Sequence, residues 1–112
     1  MPDFAEAIGN IFIVHARIEA IDRKALTKTL KKQRAKQMAD LQHAANSLML
    51  TEYATLSEAA KISAKELKSA SSELKSGLDG ITDPIEVLNV VGATIGTIAN
   101  LVSLIGAGAR PA

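Results

Sequence analysis

The side chains able to do chemistry in this chain are few and scattered. His15 and His43 are the only imidazoles, and neither completes a His-x-x-x-His or Glu-x-x-His spacing that would set two ligands on one helical face. Cysteine is absent, which removes thiolate ligands, a disulfide framework and a cysteine nucleophile. His15 falls on an apolar stripe and reads as a structural imidazole, whereas His43 reads as a surface one. Glu52, Glu58, Glu66 and Glu73 are interleaved with Lys61, Lys65, Lys68 and Lys75. That is the pattern of a solvated helical face, with exposed ion pairs worth about 0.3 kcal/mol each. Gly92, Gly96, Gly106 and Gly108 make no phosphate loop, since no strand precedes them and no Gly-Lys-Ser follows. The expectation is a non-enzymatic protein with no catalytic, cofactor or metal site and no small-molecule substrate.

One charged cluster stands apart. Arg23, Lys24, Lys28, Lys31, Lys32, Arg34 and Lys36 fall within residues 23–36 with no acidic residue among them, although the chain as a whole carries a net charge of only +1. This segment is the candidate anion-binding element, and three partners fit it. Nucleic acid is one: contact of all seven charges with phosphates gives a log-log salt slope near −6, but no aromatic residue interleaves the cations. A bilayer is another, because a polybasic stretch beside an apolar element gains about 1 kcal/mol per charge at an anionic surface. The third is a solvated arm paired with the acidic remainder of a neighbouring copy.

The opposite extreme is residues 87–109, which carry no charge. As a helix, that stretch reaches roughly 35 Å against a hydrocarbon thickness near 30 Å. It has two faces. Leu88, Val91, Ile95, Ile98, Val102 and Ile105 form an aliphatic ridge at three-four spacing. Gly92, Gly96, Ala99, Ser103 and Gly106 form a ridge of small residues beside it, flanked by Asn89 and Asn100. Small residues at this spacing let two backbones approach closely, and Asn or Ser then hydrogen-bonds between helices. The small ridge is therefore the expected helix-packing surface, and the aliphatic ridge requires lipid or more protein.

The elements that position these features read as helices throughout, an all-α class. Asp3 and Glu6 form a capping box that starts a helix near Phe4. From Asn10 to Ser76 there is neither Gly nor Pro. Residues 4–77 are thus either one long helix or two, broken near 46–55, where periodicity lapses and Thr55 with Glu58 offers a second capping box. Gly77 and Gly80 stop the helix. Asp83 as cap, Pro84 at the first helical position and Glu86 at the third start the hydrophobic helix, 84–106.

In the first helix, Phe4, Ile8, Ile11, His15 and Ile18 share a face, with Glu6, Asn10 and Arg17 opposite and Ile13 left on the polar side. From 27 to 37, polar residues surround the helix, so no face is expected to enter a core. Met38, Leu41, Ala45 and Leu48 make one stripe. Tyr53, Leu56, Ala60, Ser63, Leu67, Ala70 and Leu74 make another, a coiled-coil seam thinned by Ala and Ser and continuing off register to Leu78 and Ile81.

With 112 residues and 3% aromatic content, a lone core is thin, and small helical subunits offset this by oligomerising. The N-terminus lacks the basic region of a cleavable signal. The expected protein is a single helical domain, 1–112, folded as a hairpin or bundle and acting as a homo-oligomer. Its apolar C-terminal helix is buried in a membrane, as a membrane-inserting or pore-forming element, or in the core of a soluble oligomer or filament. The alternative function is a nucleic-acid-associated helical protein using 23–36.

Overall fold

Four helices form where the caps permit them: α1 (Pro2–Glu19), α2 (Lys28–Met49), α3 (Glu58–Gly77) and α4 (Pro84–Ala107), with short 3-10 turns at Arg23–Ala25 and Tyr53–Thr55. The structure, a computed structural model, describes residues 2–51 and 53–108, and their side chains except at 2–4 and 53. The chain is an all-α bundle, with no strand among the described residues. The expected roles of the Asp3, Phe4 and Tyr53 side chains lie outside the described ones, and Glu52 is not described.

The long helix breaks twice rather than once. The unexpected break, residues 20–27, needs no Gly or Pro because two short polar side chains supply it. Asp22 accepts a hydrogen bond from the Lys24 N–H, and Thr27 accepts one from the Leu30 N–H as the cap of α2. Between them Leu26 turns inward and is buried. The last carbonyls of α1 find their partners on α2: Arg34 Nε donates to Ile18 O at 3.3 Å and Nη2 to Glu19 O at 3.0 Å.

The second break falls where periodicity lapses, but its cap is Ser57, whose Oγ accepts from the Ala60 N–H at 3.1 Å. Glu58 is then the first helical residue, so the Thr55–Glu58 box does not form. At the third junction Asp83 caps α4 through the Ile85 N–H, Pro84 opens the helix, and Gly80 takes φ +80°. That left-handed conformation is the one a side chain resists.

Each helix packs chiefly on two others, in the pairs α1·α2, α2·α4, α4·α3 and α3·α1, so α1 lies diagonally across from α4. Contacts give the directions. Glu6 reaches Lys68 at 3.6 Å and Asn10 reaches Ser71 at 3.2 Å, which makes α1 and α3 parallel. Ser57 N–H donates to Gly108 O at 3.0 Å, tying the start of α3 to the end of α4 as an antiparallel hairpin. The result is two antiparallel hairpins stacked on each other in a bundle of 46 × 24 × 18 Å.

One hydrophobic cluster runs through all four helices. On α1 the buried stripe is Ala7, Ile11, Val14 and Ile18, rotated from the expected one, so Ile8 and His15 are only half-buried. The reason is that α1 meets two neighbours, and its buried face centres between them. Asn10, expected on the polar side, is buried and donates to Ser71 Oγ. On α3 the expected seam holds at Leu56, Ala60, Leu67, Leu74 and Leu78, widened by Ala64 and Ser71.

The start of α2 corrects a second expectation. Leu30 is half-buried and Gln37 buried, so residues 27–37 do enter the core. Gln37 Nε2 donates to the Leu88 carbonyl at 3.0 Å, while its Oε1 is buried without a partner. An unsatisfied buried amide oxygen is costly, and the Leu88 carbonyl keeps its helical bond without Gln37. Gln37→Leu should therefore leave stability unchanged or raise it by about 1 kcal/mol. Urea unfolding reads this directly, and a loss of stability would contradict it.

Candidate assembly surface

The α4 helix buries one ridge and leaves the other, beside it, at the surface next to α2. Leu88, Val91, Ile98, Val102 and Ile105 are buried, with Val87 and Leu101 beside them, and Ile95 is half-buried. The aliphatic ridge thus fills the bundle's own core. Asn89, Gly92, Gly96, Ala99, Asn100, Ser103 and Gly106 are exposed; Gly92 borders the α2 amides, and Ala99, Ser103 and Gly106 face the groove beside α2, while Asn89, Gly96 and Asn100 lie on the outer side.

Along this outer side the helix carries no charge after Glu86. Its neighbours differ: α2 presents Lys28, Lys31 and Lys32 to solvent, and α3 presents Glu58, Lys65, Glu66 and Glu73. An outward helix face without charge is unusual for a surface that meets only water. Exposed Ile85 and Leu104 lie near its two ends, at 44% and 49% exposure. On the diagonally opposite helix α1, Phe12 and Ile13 are also exposed. By length and composition α4 is the one helix among the described residues able to cross a membrane, and apart from Ile85 and Leu104 its exposed residues are small or polar.

The glycines of the small ridge are not equivalent. At Gly92 an added Cβ would lie 3.4 Å from Gln37 Nε2 and 3.6 Å from Gln33 Nε2, so this position accommodates the α2 amides. At Gly96 and Gly106 an added Cβ would meet nothing within 4 Å. Gly108, which belongs to neither ridge, is the tight one: its Cβ would fall 2.4 Å from Ala60 Cβ.

Between the parallel helices α2 and α4 runs a groove of about 410 Å3, with Ala99, Ser103 and Gly106 on one wall and Lys36, Asp40, His43 and Ser47 on the other. Lys36 Nζ holds Asp40 at 2.7 Å, which commits one of the candidate anion-binding residues to an internal pair. Arg34 is committed too, to the carbonyls of α1. That leaves Arg23, Lys24, Lys28, Lys31 and Lys32 exposed at the α1–α2 turn and the first turns of α2. His43 is exposed, as its position in the sequence implied, whereas His15, expected on the apolar stripe, is only half-buried.

The residues that sequence reasoning missed are Gln37, Asn10, Ser71 and Gly108. Extending the stripe of Leu41, Ala44 and Leu48 backwards by four lands on Gln37, and by further helical steps on Leu30 and Leu26, so its periodicity did mark the amide as inward. Gly108 left no signal, because its role depends on where α3 begins. No family model matches the chain, and the comparisons with curated proteins and with solved structures also give no match, so any functional reading rests on the geometry of the bundle.

Proposed function

We propose that the chain is a non-enzymatic, self-assembling helical subunit whose α4 outer face packs against further copies in an oligomer or filament. One observation carries this reading: the exposed side of α4 is uncharged after Glu86 and built mostly from Gly, Ala, Ser, Thr and Asn, with Leu104 near its end. Such a face suits close helix approach, with Asn89, Asn100 and Ser103 able to hydrogen-bond across the contact. The bilayer version, with α4 as a membrane-inserting or pore-forming element, requires the bundle to open, because the aliphatic ridge faces inward. Packing on another copy requires no rearrangement, which favours the protein partner.

Sedimentation at micromolar concentration, run beside liposome flotation, tests the proposal. Concentration-dependent association without lipid is expected, and a monomer that floats with liposomes supports the bilayer version instead.

A second reading, polyanion binding, draws on the exposed cations at the start of α2. If all five remaining cations met phosphates, the log-log salt slope would be about −4. Lys28, Lys31 and Lys32 changed together to Gln should then lose retention on heparin, without disturbing Arg34. Unchanged retention at moderate salt removes this reading.

A further inference from the structure

Both hairpin turns of the bundle lie at one end. The α1–α2 turn carries Arg23 and Lys24 and opens α2 on Lys28. The α3–α4 turn carries Asp79 and Asp83, and Glu86 sits in the first turn of α4. Arg17 Nη2, in the last turn of α1, donates to the Ile81 carbonyl at 2.7 Å, and a shallow cleft lined by Arg17, Ile81, Pro84 and the exposed Asp22 of the α1–α2 turn lies between the two turns. All six charged side chains are exposed. None of them takes part in an ion pair among the described residues, although opposite charges share the same small surface.

We propose that this end is a self-complementary joint between two copies of the chain. The basic turn of each copy faces the acidic turn of the other across a two-fold axis perpendicular to the bundle. The inference rests on the assembly reading above and names where a second contact forms. Two arguments carry it.

The first is charge. A polyanion brought to this end meets Asp79, Asp83 and Glu86 as well as the cations, whereas a second copy presents both signs in the required order. The second is symmetry. A two-fold axis in the plane of the end that runs between the two turns exchanges them, so that unlike turns meet twice, and this is the axis the joint uses.

Charge exchange tests the joint. An acid-ended variant carries Arg23→Glu, Lys24→Glu and Lys28→Glu, and a base-ended variant carries Asp79→Lys and Glu86→Lys, leaving the Asp83 cap intact. Sedimentation velocity of each alone should show association weakened by about ten-fold or more, since attraction at several exposed pairs becomes repulsion. An equimolar mixture should restore it as a mixed species. Wild-type association should also weaken as salt rises from about 0.1 M to about 1 M, where the screening length falls from about 10 Å to about 3 Å.

Variants that associate alone as wild type does overturn the joint and leave the assembly reading standing. Loss without recovery in the mixture also overturns it, provided circular dichroism shows both variants folded. A wild-type chain that is monomeric throughout overturns both. If either variant fails to fold, Lys24→Gln with Lys28→Gln and the wild-type salt dependence decide the question, and salt-independent association contradicts the joint.

Discussion

Leu67→Ala should lower the stability of the bundle by about 3 kcal/mol, the largest single effect expected from a core truncation of this size. Leu67 lies mid-way along α3, on the face that meets both α1 and α4, and is fully buried. Truncation removes the transfer free energy of its side chain and leaves a cavity that helices held on two sides cannot close. Small domains are stable by only about 5–15 kcal/mol, so the change is a large share of the total. Thermal unfolding should shift down by about 10–20 °C. A shift of only a few degrees would mean that the bundle collapses around the site, contrary to the packing described.

Gly108→Ala should destabilise while Gly96→Ala, the same substitution inside α4, should stabilise the isolated subunit. At Gly108, which caps the end of α4, the new Cβ would fall 2.4 Å from Ala60 Cβ, which cannot rotate away, and 2.9 Å from Ser57 Oγ, which can do so only by giving up its bond to the Ala60 N–H. The end of α4 must then separate from α3 and lose the Ser57 N–H bond to Gly108 O, a cost of about 1–3 kcal/mol. Gly96 sits in an exposed helix interior with open space around it, and Ala there stiffens the unfolded chain and favours the helix by about 0.5–1 kcal/mol. Denaturant unfolding of the two variants at low protein concentration compares them, and equal signs would contradict the close approach assigned to Gly108.

Much of this fold was legible in the sequence because it depends on local chemistry. Asp83, Pro84 and Glu86 start α4 where they stand, and the aliphatic ridge is inward at five of its six positions, with Ile95 half-buried. The break at 20–27 was hidden because Asp22 and Thr27 resemble ordinary polar residues in a helix-prone stretch. What forces the reversal is tertiary: an unbroken helix would leave the stripes of α1 and α2 bare. The burial of Asn10 was likewise hidden, and that of Gln37, though marked by the period of its stripe, could not be trusted without its partner, since Ser71 and the Leu88 carbonyl belong to other helices.

The candidate surface divides the same way. Its small residues and their line were readable from spacing alone. That the line faces outward, that Gly92 accommodates the amides of Gln33 and Gln37, and that Arg34 caps α1 instead of facing an anion all depend on the packing of α2 against its neighbours.

The central claim is that the outer face of α4 associates with other copies, and Gly96→Leu is its cleanest probe. Nothing in the same chain lies within 4 Å of a Cβ at that position, so the subunit's own packing is untouched, whereas a bulky side chain there blocks the approach of another helix. Sedimentation equilibrium of the wild type, Gly96→Leu and the exposed control Leu104→Ala at matched micromolar concentrations is the deciding measurement. The wild type and Leu104→Ala should associate to similar extents, while Gly96→Leu loses association through α4 and goes no further than the two-copy species joined at the turn end, with an unchanged helical circular dichroism signal. Equal association of all three, or a wild type that stays monomeric, would contradict the account.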